Sequence, residues 1–261
     1  MDGKVEIEFS VQAGSRTIEA SARVPAGPVP LVQIIPVIHG IASALAQVGI
    51  EEVQEEGKTV SCRAGCGACC RQAVPVTEPE AQYLAALVES LPAGHQAHVR
   101  ERFRQAIERV DAAGVGHKMR NLGEYPEEER LGTCMDYFHL GVACPFLEEE
   151  SCSIHPYRPA ICREYSVTSP AALCVNCKPE EIERVPIYAR PTRALAGMGC
   201  DAEPADASML PHMALIYALE WAEEHPPEEP RGTGPELLRK FLERLSSSVG
   251  ADEPQAAAPR K

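Results

Sequence analysis

Seven of the eleven cysteines in this chain stand in two ordered blocks, Cys62-x3-Cys66-x2-Cys69-Cys70 and Cys144-Pro-Phe-Leu-x4-Cys152-x9-Cys162, with one further cysteine between them. Thiolates are soft ligands, and two or three residues between cysteines let two sulfurs reach one ion at about 2.3 Å, as in zinc or iron–sulfur sites. Gly65 and Gly67 suit a loop that wraps an ion, because glycine supplies positive φ and close backbone approach without strain. A site built from both blocks obliges the intervening chain to fold back on itself.

Cys174-x2-Cys177 extends the second block. The candidate metal ligands are therefore Cys62, Cys66, Cys69, Cys70, Cys144, Cys152, Cys162, Cys174 and Cys177. Seven block cysteines and one of the last pair make eight, twice what a tetrahedral zinc or one cubane cluster needs. Adjacent side chains such as Cys69 and Cys70 tend to diverge, which suits two centres better than one. The competing reading makes several of these cysteines small buried apolar side chains. Cys134 reads as core and as the substitute ligand, and Cys200 as a free thiol or core residue.

Composition narrows the function classes. With 261 residues and 44% apolar content the chain can bury a core as one or two domains. The opening Met1-Asp2-Gly3-Lys4 lacks a secretory pattern, and no apolar run is expected to span a bilayer, so the expected location is cytoplasmic with no membrane partner. In that reducing compartment eleven cysteines argue for metal or redox chemistry rather than for a disulfide scaffold. The net charge of −13 and the lack of a basic patch argue against nucleic acid. A protein partner of unknown identity stays open.

The expected fold is α+β, mainly helical around a metal-stabilised cysteine cluster, with a small N-terminal β-hairpin and helix. Residues 4–24 alternate apolar and polar around Ala13-Gly14-Ser15, and the apolar Leu31–Val48 segment predicts a buried helix starting near or after Pro36. Lys58–Ser61 reads as a short strand. Thr77-Glu78-Pro79-Glu80 predicts a capped helix to Glu89, and Val99, Phe103, Ile107 and Val110 predict another over 93–113 ended by Gly114. These two helices are expected to bring the blocks together. Turns and short helices should follow from Cys144 to Cys177, then helices over Leu210–Glu224 and Pro235–Leu245. The expected organisation is 1–60 as a small α+β element, 61–180 as the cysteine-cluster domain, 181–248 as a helical extension and 249–261 as a disordered tail.

The ordered set Cys62-x3-Cys66-Gly67-x-Cys69-Cys70, Cys144-Pro145-Phe146-Leu147, Cys152-Ser153-Ile154 and Arg158-Pro159-x-x-Cys162-Arg163 resembles the YkgJ-type cysteine-cluster family over about residues 60–180. The resemblance implies chelation of zinc or iron. Through the family's flagellin lysine N-methylase branch it also implies an iron–sulfur cluster in that branch. Two positions depart from the family pattern: three residues, not two, separate the first cysteine pair, and His155 stands where tyrosine is usual. A hydrogen bond near the centre is the expected role for His155, rather than ligation.

Arg158, Arg163 and Tyr165 flank Cys162 and are the candidate cofactor-contacting side chains, the guanidinium groups offsetting thiolate charge and donating to sulfur. Salt bridges to Glu148 or Glu164 are the competing reading. The expected cofactor is an iron–sulfur cluster or Zn2+, in one or two centres. Three function classes follow: a metal- or cluster-binding carrier, sensor or accessory factor, which is favoured; an S-adenosylmethionine-dependent protein lysine N-methylase-like enzyme, against which the chain offers no Gly-x-Gly-x-x-Gly loop; and a thiol–disulfide redox protein cycling Cys174-x2-Cys177 or Cys69-Cys70.

Overall fold

The computed structural model describes residues 3–175, 181–199, 212–227 and 229–248. In chain order these form β1 (Lys4–Ala13), β2 (Arg16–Pro25), β3 (Pro28–Val29), α1 (Ile35–Glu55), β4 (Pro75–Val76), α2 (Glu78–Glu89), α3 (Ala93–Ala112), α4 (Gly116–Arg120) and α5 (Glu127–His139). There follow β5 (Leu147–Glu148), β6 (Ser151–Cys152), α6 (Ala160–Arg163), α7 (Ala172–Val175), α8 (Pro191–Gly199), β7 (Met213–Ala214), α9 (Ala218–Glu224), β8 (Gly232–Thr233) and α10 (Gly234–Ser247). The fold is mainly helical α+β, as the sequence pattern predicts, with its strands in small two-stranded sheets.

β1 and β2 pair antiparallel from Lys4↔Pro25 to Ala13↔Arg16, closing through Gly14 at φ +60°. Their alternation sends Val11, Ala13 and Val24 inward onto α1 and α10. α1 admits Pro36 because its first turn needs no amide donor there. α10 begins with Thr233 and Glu236 capping each other reciprocally and buries Leu237, Leu238, Phe241 and Leu245. Hairpin, α1, α8 and α10 thus share one apolar core, so the first and last described elements pack together.

The expectation that no apolar run reaches bilayer length is corrected: Leu31–Glu55 is long and apolar enough by composition. In this fold 56% of its most apolar window is buried inside the protein. A helix covered on several sides reads as apolar all round in sequence.

A second core joins α2, α3 and α9 to Phe146 and Ile154 of the second cysteine block, and a third joins the end of α3 to α4, α5 and Tyr217. Four helices, not two, therefore connect the blocks. Two further expectations are corrected. Lys58–Ser61 is not a strand, although the Ser61 amide donates to the Val167 carbonyl at 2.9 Å. The helix expected from Leu210 starts only at Ala218, because Met213 and Ala214 pair with Val76 and Pro75; Leu210 itself lies outside the described residues, as does the tail 249–261.

A buried polar bridge ties α1 and α2 to α6. Glu80, fully buried, accepts from the Ala160 amide at 2.8 Å and from the Thr77 amide and hydroxyl, with His39 Nε2 at 3.1 Å. Burial pushes the Glu80 carboxyl up, but His39 and the amides outweigh it and hold it below the usual carboxylate value. Such a group stabilises the fold above the unfolded carboxylate pKa and loses that contribution as pH falls through the lower folded value. Glu80→Gln should therefore be less stable than the native chain at neutral pH, with the gap narrowing below about pH 4. Urea titrations of both proteins across that range measure it. Phe241→Ala should cost about 3–5 kcal/mol, read from the same titrations at neutral pH.

Candidate metal centre

The first block is a chain of turns. Gly65 sits at φ +82°, where a side chain would be strained, and the Cys66 amide returns to the Arg63 carbonyl at 3.1 Å. A 3-10 turn over Ala68–Arg71 follows, the Cys70 amide donating to the Gly67 carbonyl at 3.0 Å. Gly67 has φ −94°, so close approach is its reason, not handedness. A Cβ there would lie 2.7 Å from Leu147 Cδ1, 2.8 Å from Glu150 Oε2 and 3.1 Å from the Glu150 carbonyl.

The second block presses against this loop. The Cys144 amide donates to the Cys70 carbonyl at 2.7 Å, joining the blocks through the backbone. β5 and β6 form a tight hairpin that positions Cys152, its turn holding Glu149 and Glu150 at φ +47° and +60°. Non-glycine residues adopt that region at a cost, and Arg71 opposes it by donating to both Glu150 carboxylate oxygens, at 3.0 and 2.6 Å. Phe146, buried edge-on against Phe103 of α3, anchors the hairpin's base.

Cys162 rides on α6, a single helical turn begun by Pro159. Arg163 fixes this turn: Nε donates to the Arg158 carbonyl at 2.9 Å, Nη1 to Ser43 Oγ of α1 at 2.7 Å and Nη2 to the Pro156 carbonyl at 2.7 Å. Cys174 rides on α7, its carbonyl near Gln72 Nε2 at 3.5 Å and its sulfur 3.9 Å from the Tyr165 hydroxyl.

Burial pushes the thiols of Cys62, Cys144, Cys152, Cys162 and Cys174 above their ordinary pKa, Cys144 to about 12. Cys69 is raised first by its hydrogen bond with the Cys70 thiol and then by burial. The mutual effects sort the sulfurs into two groups. Cys152 opposes the ionisation of Cys144, and both oppose that of Cys162; on the other side Cys66 opposes the ionisation of Cys62 and of Cys174; Cys69 acts on both sides.

None of the nine described cysteines takes part in a disulfide. Among the described residues no group of three or more His, Cys, Asp or Glu side chains is placed to hold a metal ion. The donor set still fits zinc or iron, being sulfur from several turns with cationic side chains at hand. Arg158 Nε is buried with no hydrogen-bond partner, as expected of a donor awaiting an acceptor.

The expected roles of the flanking residues need revision. Arg163 donates from each guanidinium nitrogen to an oxygen and braces the loop, and no contact of its side chain with a sulfur is seen among the described residues. Tyr165 faces Cys174, not Cys162. The competing salt bridges do not form: Glu148 pairs with Arg102 and His95, while Glu164 accepts from Thr192 and lies 3.8 Å from Arg190. His155 is exposed, its imidazole pKa lowered by partial burial and by the charges of Arg158 and Arg163. Cys134 lies on α5 against the third core. Cys177 and Cys200 lie outside the described residues. Sequence reasoning missed Gln72, Ser43 and the Arg71–Glu150 pair, whose partners are all distant in sequence; Glu80 was legible only as a helix cap.

Gly67→Ala should push the β5–β6 hairpin off the first block and cost about 1–3 kcal/mol. Gly132→Ala in α5, where a Cβ meets nothing within 4 Å, should instead stabilise by up to about 1 kcal/mol. Thermal unfolding of the two variants beside the native chain checks both signs.

No curated protein and no solved structure matches the chain. A family model does: CxxCxxCC, described as "Putative zinc- or iron-chelating domain", over residues 61–185. That span contains both cysteine blocks, their backbone junction and the turns that carry Cys162 and Cys174. Metal binding, with zinc or iron as the metal, is the property this match supports. Residues 61–185, a little under half of the chain, match the CxxCxxCC family model, in agreement with the cysteine-cluster resemblance read from the sequence.

Proposed function

We propose that this chain holds zinc or iron through thiolates from both cysteine blocks and works as a metal- or cluster-binding carrier, sensor or accessory factor. The observation that carries the reading is the meeting of the two blocks at Cys69 and Cys70: the Cys144 amide donates to the Cys70 carbonyl at 2.7 Å, and Cys69 opposes the ionisation of Cys144 and Cys162, 75 and 93 residues further along the chain. Eight described cysteines belong to the two groups or adjoin them at Cys70, more than one tetrahedral ion takes up. That surplus favours an iron–sulfur cluster or two ions over a single zinc. A dication supplies the positive charge that lets the clustered thiols ionise together. The reading carries a reducing compartment such as the cytosol with it, since disulfides would consume the ligands.

Metal analysis of protein purified without oxygen, from cells supplied with iron and zinc, tests this. The native chain should carry at least one equivalent of zinc or about four irons per cluster. Cys69→Ser and Cys162→Ser should each lose most of it, while Cys134→Ser keeps it. Full metal content in both of the first two variants would overturn the shared-site reading.

A further inference from the structure

We propose that the outer edge of β2 is a self-recognition surface, on which β2 of a second copy of this chain pairs antiparallel about a two-fold axis through Ser21. The pairing joins two hairpins into one four-stranded sheet, in the order β1, β2, β2, β1, lying over the α1 helices of both copies. The inference stands independently of the metal-binding reading.

Both strands of the hairpin have ten residues, and among the described residues β2 pairs only with β1. A long strand with an open edge is a template for another strand. Register settles which groups that edge offers. The two-residue turn makes Ala13↔Arg16 a hydrogen-bonded pair, and the Ala26 amide on the Gly3 carbonyl at 2.8 Å continues the same alternation. Even-numbered residues of β2 therefore direct their backbone groups to β1, and Thr17, Glu19, Ser21 and Arg23 turn theirs outward. Pro25, with no amide to give, ends the edge.

Charge selects the partner. Glu19 and Arg23 are exposed, and neither is in an ion pair among the described residues. Centring the pairing on Ser21 sets Glu19 opposite Arg23 of the second copy, twice over, as a two-fold axis requires. Centring it on Glu19 or on Arg23 sets like charges opposite. The β1 edge offers Glu6 and Glu8 at successive outward positions, two acids where β2 offers an acid and a base.

The face beneath fits as well. Ile18, Ala20 and Ala22 of β2 and Val37, Gly40 and Ala44 of α1 line an apolar groove of about 290 Å³. A second β2 brings Ile18, Ala20 and Ala22 on that same face to fill it. Gly40 is exposed and a Cβ there would meet nothing within 4 Å, so the fold of one copy does not require so small a residue.

Sedimentation equilibrium of the full chain over a range of concentrations tests this. The native chain should form a species of twice 28.3 kDa that dissociates on dilution. Glu19→Arg and Arg23→Glu should each raise the dissociation constant about 10-fold or more, because each sets two like-charged pairs opposite. Combining the two substitutions should return it to near the native value, which a weakened hairpin would not do. Gly40→Leu should keep the native circular dichroism while weakening the dimer, its side chain filling the groove. A native chain that stays at 28.3 kDa at every concentration would overturn the proposal, as would a dimer that neither single reversal weakens. A double variant as weak as the single ones would overturn the register centred on Ser21.

Discussion

Thiols brought together in a half-buried space resist ionisation, because each loses hydration and each negative charge formed raises the cost of the next. The rest of the structure is arranged around that constraint. Cys144 is driven to about 12 and Cys162 well above the ordinary thiol range, first by burial and then by neighbouring cysteines. The polypeptide nonetheless gathers these groups, using a backbone hydrogen bond between Cys144 and Cys70 and a bridge from Arg71 to Glu150. In the proposed metal-binding reading, a cation among the sulfurs would offset that penalty.

Rigidity near the sulfurs comes from the helices, not from the loops that bear them. α6 has a single turn, yet Glu80 of α2 holds the amide at its start and Ser43 of α1 holds the guanidinium at its end. The hairpin bearing Cys152 is fixed through Phe146 in the core of α2, α3 and α9. The turns that carry Cys162 and Cys152 are thus tied to the long helices, the first by hydrogen bonds and the second by apolar packing.

Local patterns in the sequence gave away what depends on neighbours in the chain. The alternation of Val5 to Phe9, the Thr77–Glu80 cap and the spacing of Val99, Phe103 and Val110 correspond to β1, α2 and α3. What stayed hidden depends on partners brought from afar. Lys58–Ser61 looked like a strand, but its neighbour Val167 offers too little length for a ladder, and Met213–Ala214 looked helical until Pro75–Val76 claimed its backbone. The cysteine blocks were legible because metal chemistry constrains their spacing. The aim of Arg163 was not, since nothing in the residues around Cys162 announces Ser43 on a helix 120 positions away.

X-ray absorption at the metal's K edge on the loaded full-length chain tests the central claim most directly, because it reads the atoms bound to the metal rather than the consequences of binding. The account predicts a shell made mainly of sulfur at about 2.3 Å from the metal. A shell made mainly of nitrogen and oxygen near 2.0–2.1 Å would contradict it, since the cysteine blocks would then not be what holds the ion.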